Sequence, residues 1–379
     1  MKKLGSLPET NFEEKGDYDK DVRRIPIDDI VFDVKEYAVR RLPTNYPLGG
    51  LNTWKKIGLS CHLWYGGEAP SSMRTGDFLR SEILHVGSGR HREYRLRIWE
   101  RPSGEIIADF DSILGHSRWI KLQLLLRSVG IPGSVMYRHR PRGEKEGAFE
   151  SAELDRDFEK APSEVDLIVV GGLNSGVREA ARSRGYSQIG EGGGNAVRWE
   201  LVRFSGREIL LTSYPYGTLA EWLGRRLREL SNMVFFIGSC GSLTPELARG
   251  DIVLPTNVRC ITGWTKGLRN CLNGANTDPR WVTSQHLTVH TPLEETGQLV
   301  SRAVRAKWST ADCELGWLHK GLASGSGGEY NGRFGAALFV TDEAWRARKG
   351  VTHLSYRHDH IRDAIEECAN HAFNHLKQE

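Results

Sequence analysis

What this 379-residue sequence lacks narrows its reading first. It has no window of about 18 uncharged apolar residues, so no segment reads as a membrane-spanning helix. Its opening residues, MKKLGSLPETNFEEKGDYDKD, put Lys2 and Lys3 ahead of no apolar stretch, which is not the pattern of a secretory signal. Six cysteines, at 61, 240, 260, 271, 313 and 368, form no CxxC pair, and no histidine spacing typical of zinc accompanies them. Reduced thiols in a cytoplasmic protein that needs no metal are the expectation. Long repeats and low-complexity tracts are missing as well. Charge of one sign is scarce: 52 basic residues against 48 acidic leave +4, too weak to point to nucleic acid or an acidic membrane surface as partner. What remains is a soluble globular composition, long enough for two domains.

Two regions differ in pattern. The first is irregular. Residues 1 to about 25 are charged, and a hairpin is predicted at EYRLRIWERPSGEIIADF, where Tyr94, Leu96 and Ile98 alternate with Arg95 and Arg97 around a Pro102–Gly104 turn. The alternation reads as an ordinary hairpin with one solvated, arginine-bearing face. A helix is predicted over 111–129, with Ile113, Leu114, Ile120, Leu124 and Leu125 as apolar positions. Residues 138–164 are charge-rich and read as a junction, which divides the chain into a smaller N-terminal α+β domain (1–160) and a second domain (161–379).

The second region alternates regularly. VDLIVV (165–170), REILLT (207–212), MVFFI (233–237), DIVL (251–254) and AALFV (336–340) read as buried strands. Helical patterns separate them: one ends near Gly185, one opens on TLAE with Thr218 and Glu221 as a capping box, and one closes the chain over 359–376. The expected fold is an α/β three-layer sandwich with a central mixed sheet.

Ligands of such sheets sit beyond the carboxyl ends of strands. Three of these ends carry suggestive residues: Gly171–Gly172, Gly238–Ser239–Cys240–Gly241 and Thr341–Asp342. Glycine lets backbone amides approach an anion or a sugar, and the serine adds a hydroxyl. A single glycine pair is no more than a tight turn, so the chemistry rests on several strand ends sharing one edge.

VFFIGSCGSLTPELARGDIVLP (234–255) resembles the signature of the nucleoside phosphorylase superfamily, the purine nucleoside and uridine phosphorylases and related nucleosidases. STADCELGWLHKGLA (309–323) is similar to that family's Val-(Asp/Glu)-Met-Glu segment, and LFVTDEAW (338–345) to its strand ending in Ser-Asp. The resemblance spans about 165–379. It implies cleavage of an N-glycosidic bond, with Asp342 as general acid to the departing base and Glu314 holding the ribose hydroxyls. It also places Asp312 and Cys313 beside the sugar, Ser239 with Gly238, Cys240 and Gly241 against phosphate or the attacking water, and Gly172 on the other phosphate-side loop. Cys240 itself reads as packing, since no basic residue adjoins it. The substrate implied is a nucleoside or nucleotide, with inorganic phosphate a potential co-substrate and no other cofactor, and the assembly implied is a homo-oligomer.

Two departures leave the acceptor open. Where phosphorylases of the family carry a phosphate-gripping arginine, this chain has Phe236, and an aromatic ring cannot replace a bidentate clamp. Where the hydrolases have a water-orienting glutamate, GGLNSG offers no acid. Arg178, Arg203 and Arg259 are candidate anion partners, and Glu191 a candidate replacement acid. Residues 263–286 and 324–333 read as loops near the base, and His290 or Thr291 as substrate-facing. The alternatives are a binding module without turnover, and an enzyme resembling AMP nucleosidase whose N-terminal domain contacts phosphate.

Overall fold

Strand alternation and apolar runs produce two sheets. The structure, a computed structural model, describes residues 12–16, 22, 24–31, 60–65, 76–85, 92–113, 115–128, 135–139, 148–194, 196–272, 281–324, 330, 332–345 and 359–375. The first sheet contains β1 (Phe12–Gly16), β2 (Ser60–Tyr65), β3 (Asp77–His85), β4 (Arg92–Glu100), β5 (Ile106–Ile113) and, after helix α1 (His116–Ser128), β6 (Val135–His139). Its spatial order is β1-β6-β2-β5-β4-β3. The predicted hairpin is β4 and β5, paired antiparallel. Its arginine face is only partly solvated: Arg95 is half-buried, while Arg97 is buried, with Nε 3.3 Å from the buried Asp111. The helix begins later than predicted, because Ile113 completes β5 and Gly115, at φ 81°, turns the chain before α1 starts.

The second sheet follows helix α2 (Ala148–Asp157). It comprises β7 (Leu167–Val170), then after α3 (Ser175–Ser183) the strands β8 (Ser187–Gly193), β9 (Arg198–Phe204) and β10 (Arg207–Thr212). Helix α4 (Leu219–Leu227) precedes β11 (Met233–Ser242), β12 (Ile252–Cys260), β13 (Thr265–Gly267) and β14 (Trp281–Thr288). Last come α5 (Gly297–Arg305), β15 (Trp308–Asp312), α6 (Leu315–Ala323), β16 (Arg333–Glu343) and α7 (Asp359–His375). The sheet order is β13-β12-β14-β15-β11-β7-β10-β9-β8, with β16 pairing both β11 and β12. Strands β12, β14, β15, β11 and β16 therefore close on themselves, where the sequence suggested an open layer.

Side chains of the central strands alternate between two apolar clusters, as the two-residue period of a strand requires. Ile168, Val170, Leu210, Val234 and Phe236 pack with α4 and α6 residues such as Leu223 and Leu318. Leu167, Val169, Leu211, Phe235 and Ile237 pack with Val177 of α3 and Ala369 and Phe373 of α7. Burial on both faces explains why these strands read as unbroken apolar runs. α4 and α6 touch closely, since a Cβ on Gly321 would fall 1.9 Å from the Glu221 carbonyl oxygen.

Two local expectations change. The span 138–164 holds α2, whose Leu154 and the following Phe158 lie in the second sheet's core. Asp157 accepts from the amides of Ala196 and Val197, both at 2.8 Å, which ties α2 to β9. The capping box at TLAE does not form. Thr218 makes no side-chain cap, and Glu221 instead bonds Arg225 and Lys320. Among the described residues no helix is long and apolar enough to cross a membrane.

Candidate active site

β11 runs straight through the Gly-Ser-Cys-Gly motif rather than ending before it. All its residues are buried except Ser239, which is partly exposed. Gly241 stands in register with Asp342 of β16 on one side and with Ala311 of β15 on the other. Neighbouring strands lie about 5 Å apart, so these two strand ends are held roughly 10 Å from each other across the glycine. A Cβ on Gly241 would come within 2.8 Å of Asp342 Oδ2. Glycine is thus what lets that carboxyl lie across the strand. Gly238 has a packing reason of its own: its Cβ would meet the Phe236 ring at 2.5 Å.

Asp342 is 8% exposed, and the Thr341 hydroxyl donates to its Oδ1 at 2.8 Å. Burial pushes its carboxyl above the usual range, against the Thr341 hydrogen bond and the charge of Arg249. Glu314 stands half-buried just ahead of α6. Burial, and then the charge of Asp312, push its carboxyl up to about 8. Amide N–H groups of Gly217 and Cys313 donate to it, and Lys121 attracts it, all in the opposite direction.

The electrostatics also show which groups are neighbours. Burial raises the Cys240 thiol, with Asp312, Asp342 and Glu295 adding to the effect. It raises Cys313 likewise, with Glu314, Asp312, Glu295 and Glu294 contributing. Glu295 is raised by burial and by Asp342, Glu294 and Asp312. Cys240 of the motif is therefore near Asp312, Asp342 and Glu295, and Cys313 near Glu314, Asp312 and Glu295, so the two buried thiols share acidic neighbours. Cys240, buried and held as a thiol, is packing, as its lack of a basic neighbour suggested.

Other candidates lie elsewhere or are engaged. Asp312 accepts from Thr288 Oγ1 at 2.7 Å and from the Leu315 amide at 2.8 Å, with His286 Nε2 also at 2.8 Å. It caps α6 and ties β14 to β15, so its oxygens are committed to the fold. Arg178 donates from Nε to Glu200 at 3.0 Å. That pair lines a separate cavity of about 180 Å³ with Leu173, Glu191 and Trp199. Arg203 is bound to Glu208, and Arg259 is exposed. Gly172 packs between strands: its Cβ would meet the Val169 carbonyl at 2.7 Å. Phe236 is buried, its ring 5.3 Å from that of Tyr214. His290 packs between His116 and Trp317, and Thr291 caps the turn at Leu293. Parts of both predicted loops, 273–280 and most of 325–331, lie outside the described residues.

Sequence reasoning missed Lys121, Arg249, Glu295 and Gly217. One signal was present: Lys121 interrupts the apolar run WIKLQLLL, where nearly every residue is buried. A lone cation in such a run needs an anionic or aromatic partner.

No protein-family model matches the chain, and no curated protein matches its sequence. Among solved structures it is similar to futalosine hydrolase of Helicobacter pylori, at 13% identity over 56% of this chain and 96% of that one, with a TM-score of 0.40. It is similar to uridine phosphorylase from Schistosoma mansoni in complex with thymidine, at 15% identity over 59% and 89% of the two chains and a TM-score of 0.42. A third is the 5'-methylthioadenosine/S-adenosyl homocysteine nucleosidase of Campylobacter jejuni, at 13% identity over 57% of this chain and 100% of that one, with a TM-score of 0.43.

Proposed function

We propose that the chain cleaves the N-glycosidic bond of a nucleoside or nucleotide, within a phosphorylase-like three-layer domain preceded by a smaller α+β domain. The observation that carries this reading is a pair of carboxyls with raised pKa: Asp342, in register with Gly241, and Glu314, three residues beyond Ala311, which faces Gly241 from the other side. Two such groups beside a motif of the right residue order make an acid and a sugar anchor, and perturbed titration favours a functional reading over a structural one.

The chemistry follows from the charges. The bond between C1' and the base nitrogen breaks with its electron pair going to the base, leaving positive charge on the sugar. Asp342 delivers the proton that lets the base depart neutral, a contribution of about 10²–10⁴ in rate for a placed acid. Thr341 donates to Oδ1, so Oδ2 is the oxygen that carries the proton. Glu314 as carboxylate accepts from the ribose hydroxyls and favours the cationic sugar. Water adds to C1' and loses a proton, which restores Asp342. Water is the acceptor taken here, because Phe236 is apolar and two of the three candidate arginines, Arg178 and Arg203, are held by Glu200 and Glu208.

Incubation of the protein with nucleosides and nucleotides, with and without phosphate, tests the reading through release of free base. Phosphate-independent release is expected. Release only with phosphate would replace hydrolysis by phosphorolysis, and binding with no release would make the chain a binding module.

A further inference from the structure

Helix α1 belongs to the N-terminal half, yet it docks on the segment that serves Glu314. Ser117 N–H donates to Thr218 Oγ1 at 3.2 Å, and the Thr218 amide donates back to Ser117 Oγ at 2.9 Å. This is why the capping box predicted for Thr218 is missing: its hydroxyl is taken by a partner 101 residues away. Between them Gly217 sits at φ 64°, where a Cβ would fall 2.1 Å from Ser117 Cβ. Only glycine permits that approach. One turn along α1, Lys121 is 1% exposed, with Nζ 4.8 Å from the centre of the Tyr216 ring. His116, at the start of the same helix, packs its ring 5.5 Å from that of His290, which in turn lies 5.1 Å from Trp317 of α6.

α1 thus grips both sides of Glu314. On one side it holds Tyr216 and Gly217, and the Gly217 amide is a donor to the carboxylate. On the other its His116 reaches the helix that Glu314 opens through His290, which packs on Trp317. An ammonium buried in an apolar helix is costly unless an aromatic face or an anion receives it. Tyr216 receives it here, and the charge of Lys121 also acts on Glu314.

We propose that Lys121 is a positioning residue for Glu314: from a helix of the N-terminal half it holds the Tyr216–Gly217 loop that donates to the ribose-holding carboxylate, and places a positive charge beside that loop. This rests on the glycosidic-bond reading for the role of Glu314, and the N-terminal half becomes part of the site. The groups acting on Glu314 are Asp312 and Cys313 from β15 and the turn after it, the Gly217 amide, and Lys121 from α1. Glu294 and Glu295 act on the adjoining Cys313.

The test uses the full chain with Lys121→Met and Lys121→Arg. Titration of the Glu314 carboxyl is read by infrared difference spectroscopy, its band identified by loss in Glu314→Gln. The wild-type midpoint is expected at about 8. Lys121→Met is expected to raise it by about one pH unit and Lys121→Arg to leave it nearly in place. In base release, Lys121→Met is expected to lose about tenfold in kcat/KM near neutrality and to recover as the pH rises, one pH unit being a factor of ten in ionised fraction. If Lys121→Met does not melt cooperatively, Lys121→Gln takes its place under the same outcomes. A folded variant with an unmoved midpoint overturns the proposal. The infrared arm needs no turnover, so a protein that releases no base would overturn the proposed function while leaving this arm to decide on Lys121.

Discussion

The molecule buries acids in two places and treats them differently. In the N-terminal sheet, Asp109 of β5 has His62 Nδ1 at 3.1 Å and accepts from Trp64 Nε1 at 3.2 Å, while Asp111 lies 3.3 Å from Arg97. Each has a direct partner. At the ends of β11, β15 and β16, the chief influences on Glu295 and Glu314 after burial are further acids. That arrangement is costly, because a carboxyl among carboxyls raises the cost of ionising every one. Acids that are paired hold the structure. Acids crowded together resist ionisation, the state that the proposed role of Asp342 as general acid requires.

The predictions break that comparison at successive points. Asp342→Asn removes the transferable proton, so turnover is expected to fall about 10²–10⁴-fold while substrate binding changes little. Single-turnover base release alongside calorimetric binding measures both, and equal losses would contradict the role of acid. In the other region, Arg97→Met removes the cation 3.3 Å from buried Asp111, a change that costs about 3–5 kcal/mol. Denaturant melts are expected to show that loss, with kcat per folded molecule unchanged.

Glu314→Gln sharpens the contrast by acting on stability with the opposite sign. Its folded carboxyl titrates near about 8 against an ordinary 4.5, so the stability it contributes is full below 4.5 and is lost as pH rises through 8. Glu295 and Asp342, also raised, add to that slope. The wild-type melting temperature should therefore fall from pH 5 to pH 9. The glutamine variant should fall less steeply and be the more stable protein at pH 9, though poorer in base release. Arg178→Ala has the smallest effect expected. Its pairing with Glu200 is partly exposed and lies in the separate cavity, so stability should change by less than about 1 kcal/mol and activity by less than about twofold.

How far the sequence carried this depended on where each residue finds its partners. β7, β10 and β11 were legible because both faces are buried and the apolar run is unbroken. β8 was not, since SQIGEGG is an edge strand of glycine and polar residues, mostly exposed. β14 and β15 were hidden by polar positions that are buried: His286, Thr288, Thr310 and Asp312 bond one another instead of contributing to an apolar signal. At the site, the order of motifs gave Asp342, in register with Gly241, Glu314, whose charge acts on Cys313, and Ser239, the partly exposed residue of β11. It also gave Asp312, whose bonds are structural, and Arg178, which lies apart. Gly217 could not be read from local pattern, and for Lys121 the pattern showed only a cation in an apolar run, because the partners of both lie about a hundred residues away.

One measurement bears most directly on the central claim that the crowded acids perform the chemistry. Base release from a nucleoside and nucleotide panel is followed side by side in wild type, Asp342→Asn and Arg97→Met, each normalised to folded protein. The account predicts release by wild type and by Arg97→Met at equal rates, and almost none by Asp342→Asn. Undiminished release by Asp342→Asn, with loss in Arg97→Met, would place the chemistry in the N-terminal sheet and contradict it.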